Sequence, residues 1–265
     1  MRAGDWLRAA ERDLPLAPNL AALVSEGPVL VLAPHPDDES LGCGGLLAAC
    51  AEAGHPARVV VVSDGTGSHP NSRVWPAPRL AALRQRETQA ALAALGLNPA
   101  RDLDFLGLPD RAVPSSGPAL AKAVAALLAQ PALSTLLAQP TPWTVFATWP
   151  GDPHADHAAS FAIARALVRV LPAGTRLYAY PVWGLAFAHL IPGFPLPSEP
   201  VFTEAPRGFR LDVTRYLPAK RQAVAAHLSQ TTGLIDDDPS GFRLPPEALA
   251  LAFRQHELFL EESAA

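Results

Sequence analysis

Short runs of mostly apolar residues alternate along the chain with longer stretches rich in leucine and alanine. These runs span residues 28–33, 57–63, 103–106, 143–149 and 176–182, and each is predicted to form a strand. The first run is continuously apolar, which is typical of a strand covered on both faces. The longer stretches predict helices at residues 39–53, 79–95, 118–128 and 217–230. A further short run at 209–213 predicts an added edge strand.

This alternation favours parallel pairing, because a helix between two strands returns the chain to the same end of the sheet. We therefore predict an α/β protein with a three-layer Rossmann-like fold and a mostly parallel sheet, formed by one domain over residues 1–265. The segment 183–206 is rich in proline and is predicted to form a loop on the substrate side. Gly42, Gly44 and Gly45 lack the spacing of a dinucleotide-binding loop and indicate close helix packing instead.

Two clusters of acidic residues and histidines follow predicted strands directly. The sequence His-Pro-Asp-Asp-Glu at residues 35–39 follows the first apolar run, and His-Ala-Asp-His at 154–157 follows the fourth. Loops that follow parallel strands converge on one edge of an open α/β sheet, where such folds bind their ligands. Each cluster can therefore supply part of one metal site.

In the first cluster, two neighbouring carboxylates could have different roles, one as a metal ligand and one as a general base. A catalytic divalent metal needs protein ligands and one position open to water or substrate. Successive side chains in a tight turn point in different directions, so Asp38 can bind the ion together with His35 while Asp37 removes a proton from the attacking water. Zinc is the expected ion, and ferrous iron is the alternative that two histidines and one carboxylate also suit.

The second cluster is expected to divide its two histidines in the same way. His157 stands at the start of a predicted helix, which favours it as the third ligand. His154 would then stabilise the oxyanion and protonate the departing amine. Asp156 could bond to an imidazole and fix its orientation.

Composition narrows the class of protein without identifying the chemistry. Hydrophobic residues make up 49% of the chain and charged residues 17%, with a formal net charge of -4. This balance is typical of a globular enzyme and argues against a nucleic-acid partner. The N-terminal residues lack a signal-peptide pattern, and no segment is long and apolar enough for a membrane span, so a cytoplasmic location is expected. The sequence is compatible with a homo-oligomer.

Three alternatives compete with a catalytic metal site. Asp37, Asp38 and Asp156 could simply cap helices, as acidic residues at helix starts often do. A catalytically silent module on the same fold could bind metal or sugar, although the presence of both Asp37 and His154 argues against it. A metal-dependent phosphoesterase would need more ligands than the one set found here.

The two clusters closely resemble the signature motifs of the LmbE-like, or PIG-L, family of metal-dependent N-deacetylases. The first match is Pro-His-Pro-Asp-Asp-Glu at residues 34–39, and the second is Trp-Pro-Gly-Asp-Pro-His-Ala-Asp-His at 149–157. The resemblance spans most of the chain. It implies the LmbE-like fold and a zinc-dependent hydrolase that removes the acetyl group from an N-acetylated amino sugar of the N-acetylglucosamine type, or from its conjugate. An amidase acting on a larger acyl or thiol conjugate is the alternative within the same chemistry.

The same resemblance implies roles for individual residues. His35, Asp38 and His157 would be the metal ligands, and Asp37 would be the general base. His154, supported by Asp156, would be the electrophilic or general-acid histidine.

Weaker landmarks of the family lie outside the two signature motifs. They are Ser63-Asp64-Gly65, Arg86-Glu87, Leu108-Pro109-Asp110, and the stretch from Lys220 to Gln230 that contains His227-Leu228-Ser229. By resemblance, Arg86 and Asp110 would contact the sugar, and Gln230 is a third candidate. A tyrosine that some sugar-thiol pathway members carry shortly before the first histidine of the second motif is absent, and Asp152 and Pro153 stand there instead.

Overall fold

The computed structural model describes residues 1–137 and 140–262. Its strands are β1 (Val29–Ala33), β2 (Ala57–Ser63), β3 (Leu103–Leu108), β4 (Thr144–Thr148), β5 (Arg176–Tyr180), β6 (Gly208–Asp212) and β7 (His256–Glu261). Its α-helices are α1 (Ala3–Asp13), α2 (Leu20–Leu23), α3 (Asp38–Ala53), α4 (Ala77–Ala94), α5 (Pro99–Asp102), α6 (Gly117–Leu128), α7 (Pro131–Leu137), α8 (Ala155–Val168), α9 (Leu185–Ala188), α10 (Leu217–Ala226), α11 (Leu228–Thr231) and α12 (Pro246–Ala252).

The seven strands form one mostly parallel sheet in the order β3-β2-β1-β4-β5-β7-β6. Strands β1 to β5 pair in parallel, with β1 lying between β2 and β4. Strand β7 is antiparallel to both β5 and β6. The predicted α/β fold with a mostly parallel sheet is confirmed, and β6 forms the predicted added edge.

Helices cover both faces of the sheet and make three layers. Alternate residues of a strand point to opposite faces. Leu30 and Leu32 accordingly pack in an apolar cluster with residues of α1, α6 and α8, whereas Val29 and Val31 pack in a second cluster with residues of α3, α4 and α10. All five residues of β1 are buried, which explains why its sequence is continuously apolar rather than alternating.

Glycines in α3 bring this helix close to its neighbours, as the sequence predicts. A Cβ atom at Gly42 would lie 2.2 Å from the ring of Tyr180, and one at Gly45 would lie 2.2 Å from Val213. The hydroxyl group of Tyr180 in turn donates a hydrogen bond to the carbonyl oxygen of Leu32. This close approach fixes the N-terminal end of α3 against the ends of the central strands.

Several parts of the chain differ from the prediction, among them the helices α1, α2, α5, α7 and α12, which were not predicted. Strand β7 was not predicted, because a six-residue run near a proline-rich region carries little periodicity of its own. The predicted helix at 217–230 ends at Ala226, and the backbone leaves helical geometry at His227 before α11 begins. The segment 183–206 contains the short helix α9.

Over residues 1–137 and 140–262, no helix is long and apolar enough to cross a membrane. Cys43 and Cys50 are both free thiols in buried positions, where they pack as small apolar residues.

Candidate metal centre and cavity

A cavity of about 580 Å³ opens at the edge of the sheet where β1, β2, β3 and β4 end. Its lining includes His35, Asp37, Asp38, Gly67, Ser68, Arg84, Asp110, Arg111, Pro153, His154, Trp183, Phe194, Gln230, Phe242 and Arg243. The two signature motifs, more than a hundred residues apart in sequence, therefore meet at one site.

The carboxylate of Asp38 lies between two imidazoles. Its Oδ2 atom is 3.1 Å from Nδ1 of His35 and 3.3 Å from Nε2 of His157. All three side chains are buried or nearly so. The three residues predicted as ligands are thus brought together, with His35 and Asp38 in the cavity lining and His157 buried behind them.

His157 has the environment of a metal-binding histidine. Its Nδ1 atom is 2.8 Å from Oδ2 of Asp152, which fixes the orientation of the ring. Its Nε2 atom is buried and lies 3.3 Å from Oδ2 of Asp38, but it makes no well-aligned hydrogen bond with any described residue. A buried ring nitrogen without a well-aligned hydrogen bond is costly, whereas a metal bound there would satisfy it.

The residue that orients His157 is Asp152, and sequence reasoning missed this role. We expected Asp156 to bond to an imidazole and fix its orientation. The Asp156 carboxylate lies 3.4 Å from Nε2 of His35, outside its own motif, and accepts hydrogen bonds from the backbone N–H groups of Arg111 and Val113. Asp156 thus ties the loop after β3 to the start of α8. Asp152 lies inside the second signature motif, five residues before His157, but this spacing does not by itself predict a contact.

His154 faces the same centre from the N-terminus of α8. Its ring meets that of His35 edge-on, with 4.6 Å between ring centroids. The Nδ1 atom of His154 accepts a hydrogen bond from the backbone N–H of Asp156. In the neutral ring the proton therefore resides on Nε2, which makes that atom a hydrogen-bond donor.

Two overlapping sets of potential ligand atoms surround His35. Atoms of His35, His154 and His157 lie within 4.8 Å of one another, and so do atoms of His35, Asp110, His154 and Asp156. The two sets share His35 and His154, so they describe one centre rather than two. Asp38 adds a carboxylate in hydrogen-bond contact with His35.

The electrostatics of the centre favour a positive charge. Burial lowers the pKa of His157, but Asp38 and Asp152 outweigh this effect and raise the pKa to about 9. Burial likewise opposes protonation of His35, yet its bonds to Asp110, Asp156 and Asp38 hold its pKa well above the ordinary value. These carboxylates would favour a bound cation for the same reason.

The pKa of His154 is lowered, whereas the pKa values of His35 and His157 are raised. Burial lowers the pKa of His154 to about 4, and the neighbouring His35 and His157 add to the effect. His154 is therefore neutral near pH 7. The two histidines of the second motif are electrostatically distinct. A neutral His154 fits the predicted oxyanion contact but not the predicted protonation of the departing amine.

Asp37 is held in an unusual conformation beside the centre. Its backbone φ is 155° with ψ of -25°, which L-residues rarely adopt. The Nη2 atom of Arg84 donates to the Asp37 carboxylate at 3.2 Å. Burial raises the pKa of Asp37 to about 6, while the positive charge of Arg84 opposes the rise. A carboxylate with this pKa can accept a proton near neutral pH.

The predicted substrate-binding residues divide into two that line the cavity and one that does not. Asp110 lies in the lining, where Oδ1 is 3.3 Å from Nε2 of His35 and Oδ2 accepts from the backbone N–H of Gly67. Gln230 also lines the cavity and is buried. Arg86 is exposed and lies outside the lining.

Arg84, not Arg86, is the arginine that reaches the cavity. The buried residues of α4 are Leu80, Arg84, Glu87, Thr88, Ala91 and Leu92. Their spacing of three and four residues defines one helix face, and Arg86 falls on the opposite face. This periodicity is visible in the sequence and would have selected Arg84.

An aromatic cluster lines the cavity on the side of the 183–206 segment. Trp183 stacks on Phe194 with 5.1 Å between ring centroids, and Phe242 meets Trp183 edge-on at 5.5 Å. The segment predicted to lie on the substrate side thus contributes part of the cavity wall. Its role in substrate choice stays a prediction.

The chain is similar to proteins that remove acetyl groups. It is 28% identical over 210 residues to a probable N-acetyl-alpha-D-glucosaminyl L-malate deacetylase 2 from Bacillus anthracis, and the match covers 78% of this chain and 82% of the relative. Its fold is similar to that of an N,N'-diacetylchitobiose deacetylase from Pyrococcus horikoshii, with a TM-score of 0.61, 20% identity, and coverage of 94% of this chain and 87% of the other. A conserved protein from Thermus thermophilus has a TM-score of 0.58 and 25% identity, with coverage of 88% of this chain and 93% of the other.

The family comparison agrees with the resemblance seen in the motifs. Residues 30–168, which are more than half of the chain and contain both signature motifs, match the family profile described as PIG-L, GlcNAc-PI de-N-acetylase. The chain therefore belongs to the PIG-L family of de-N-acetylases.

Proposed function

We propose that this protein is a metal-dependent hydrolase that removes the acetyl group from an N-acetylated amino sugar of the N-acetylglucosamine type, or from a conjugate of it. The observation that carries the proposal is the buried Asp38 carboxylate between the imidazoles of His35 and His157, at the floor of an open cavity. Asp37 and His154 line the same floor and supply the groups that amide hydrolysis needs.

The donor set suits a divalent ion. His35, Asp38 and His157 would hold it, and the buried Nε2 of His157, which makes no well-aligned hydrogen bond with any described residue, supports this assignment. Two imidazoles and one carboxylate fit zinc, the expected ion, and also ferrous iron. When bound, the ion would polarise the amide carbonyl and lower the pKa of the attacking water.

Asp37 would act as the general base. Its pKa of about 6 leaves it ionised at neutral pH but close enough to accept a proton from water. The bond to Arg84 orients the carboxylate towards the cavity floor. After water attacks the amide carbon, Asp37 can pass the proton to the nitrogen, so that the C–N bond breaks to give acetate and a free amine.

His154 would stabilise the oxyanion that forms on the carbonyl oxygen. Its Nδ1 atom is occupied by the backbone N–H of Asp156, so Nε2 is the donor in the neutral ring. Because its pKa is about 4, this donor does not need to be charged at neutral pH. A preorganised donor of this kind stabilises the negative charge of the transition state more than it stabilises the ground state.

The cavity supports a sugar-sized substrate. Its volume of about 580 Å³ lies within the range of roughly 300–1,000 Å³ typical of small-molecule sites. Asp110 and Gln230 offer acceptors and donors for hydroxyl groups, and Arg84 adds a buried cation beside Asp37. The Bacillus anthracis relative supports a conjugate of N-acetylglucosamine. A larger acyl or thiol conjugate, cleaved by the same residues, is the alternative substrate class.

Release of free amine tests the proposal directly. Purified protein would be assayed with N-acetylglucosamine, its malate and phospholipid conjugates, thiol-pathway conjugates and short chitin fragments, each with and without chelator. We expect amine release from at least one of these, loss of that release with chelator, and recovery when zinc or ferrous iron is added back. No amine from any N-acetylated sugar, with metal bound, would contradict the proposal.

A further inference from the structure

His227 stands at the point where the chain leaves α10, in a stretch of family landmarks of which the proposed mechanism uses only Gln230. Its side chain is 1% exposed. The Nε2 atom lies 3.1 Å from Oε1 of Glu39 and 3.2 Å from Oγ of Ser40. The break in the helix thus directs a buried imidazole onto the last residue of the first signature motif.

Glu39 connects this imidazole to the backbone of Asp37. The Glu39 side chain is fully buried, and its two oxygens point in different directions. While Oε1 contacts His227 and accepts from the hydroxyl of Ser40, Oε2 accepts from the backbone N–H of Asp37 at 3.1 Å. A continuous set of hydrogen bonds therefore leads from His227 to the peptide of Asp37.

The backbone conformation of Asp37 must be stabilised by its surroundings. Asp37 adopts φ of 155°, a conformation that persists in L-residues only when surrounding contacts enforce it. Its carbonyl oxygen accepts from the N–H groups of Ser40 and Leu41 in the first turn of α3, which holds the other side of the residue. Glu39 supplies the contact on the N–H side.

We propose that His227 and Glu39 are positioning residues that hold Asp37 in the conformation required of the general base. The proposal rests on the proposed function, since it assigns the support of the base in that mechanism. Neither side chain lines the cavity, so both would act through Asp37 and not on the substrate.

A second buried ion pair, which also links α10 to α3, provides a matched control. Nζ of Lys220, on α10, lies 2.7 Å from Oε1 of Glu257, and both side chains are buried. Glu257 accepts from the backbone N–H groups of Gly45 and Leu46, further along α3. This pair ties α10 and β7 to α3 without contact to Asp37.

The first experiment compares His227→Leu with the double variant Lys220→Met/Glu257→Gln, using a substrate that the wild-type protein turns over. We expect kcat of the His227→Leu variant to fall about 10–100-fold with little change in KM, because misplacing the base affects the chemical step. The double variant should retain the wild-type kcat when both proteins are shown to be folded and metal-loaded. Equal kcat losses in the two variants would overturn the proposal.

Conservative substitutions separate positioning from packing. Glu39→Gln retains a carbonyl oxygen for the Asp37 N–H, whereas Glu39→Ala retains none. His227→Gln can still donate to Glu39. We expect Glu39→Gln and His227→Gln to recover most of the kcat that Glu39→Ala and His227→Leu lose. Glu39→Ala with unchanged kcat would contradict the positioning role.

Crystal structures of His227→Leu and of the double variant give a readout that does not depend on activity. We expect Asp37 to leave φ near 155° in His227→Leu alone. An Asp37 backbone that does not move in His227→Leu would refute the proposal whatever the enzyme's substrate is. Failure of the proposed function would look different, since the wild-type protein itself would then release no amine.

Discussion

The guanidinium group of Arg84 donates a hydrogen bond to the carboxylate of Asp37 while two of its nitrogens also bind the carbonyl oxygens of Gly65 and Pro36. One buried side chain thus joins the loop after β2 to the loop after β1, directly beneath the cavity. These hydrogen bonds connect α4 to the proposed base. Substitutions of Arg84 and Arg86 can therefore test which of the two arginines acts at the cavity.

Replacing Arg84 should reduce turnover, whereas replacing Arg86 should not. Lysine cannot reach the three acceptors that the planar guanidinium group binds together. We expect Arg84→Lys to lower kcat/KM by about 10–100-fold, as loss of a group that orients a site residue does. The matched control is Arg86→Lys on the exposed face of the same helix. Comparable losses in both variants would refute the assignment of Arg84 to the cavity.

Asp37→Asn should separate catalysis from metal binding. Asparagine keeps the shape of the side chain but cannot accept a proton, so kcat should fall by at least about 100-fold. Metal content, measured by elemental analysis after purification, should match that of the wild-type protein. Turnover at the wild-type rate would remove Asp37 from the mechanism.

His157→Ala should instead lose the metal. The Nε2 atom of His157 is a buried nitrogen beside Asp38 that makes no well-aligned hydrogen bond among the described residues, and alanine offers no metal-ligand atom in its place. We expect this variant to bind less zinc than wild type in a titration with a competing chelator, and to regain little activity at high zinc. Normal affinity would show that the ion lies elsewhere, for example among Asp110, Asp156 and His154.

Asp152→Asn tests how the orientation of His157 affects metal affinity. The carboxylate bonds to Nδ1 of His157 and also accepts from the backbone N–H groups of Val182, Trp183 and Gly184. An amide is a weaker acceptor for the ring and can present its NH2 group to it. Loss of such an outer contact typically lowers metal affinity by about 10–100-fold. An unchanged dissociation constant in the same competition titration would show that Asp152 has only a structural role.

The ionised carboxylate of Glu11 should contribute to the free energy of unfolding in a pH-dependent way. Burial raises its pKa, but bonds and charges from Arg254 and His189 outweigh this and hold the pKa below the ordinary value of 4.5. A carboxylate with a lowered folded-state pKa stabilises the protein above its unfolded-state pKa, and this stabilisation is lost as pH falls through the folded-state value.

We therefore expect Glu11→Gln to reduce the free energy of unfolding by about 1 kcal/mol at pH 7. The difference from wild type should shrink as the pH is lowered below 4.5. Thermal melts of both proteins at pH 7 and at a pH below 4.5 measure this difference. Glu262→Gln, which removes the more exposed pair with Arg165, is the control and should change Tm little at either pH. A Glu11→Gln difference that grows on acidification would contradict the sign of the pKa shift.

The sequence determined the strands of the parallel sheet and the position of the two polar clusters at its edge. Strand β2 was predicted with the bounds that the structure has, and β1, β4 and α6 within one residue at each end. These strands are encoded locally, because a strand covered on both faces is apolar at most of its positions. The placement of both clusters after parallel strands then required them to converge.

Only the tertiary structure decided which side chains contact one another at the site. The partnership of Asp152 with His157, the contact of Asp156 with His35, and the bond from His227 to Glu39 join parts of the chain whose spacing along the sequence carries no signal of contact. Strand β7 also depends on its neighbours β5 and β6 for its hydrogen bonds. Periodicity reports which face of an element is buried, whereas the direction of a polar side chain is set by the partners that packing brings within reach.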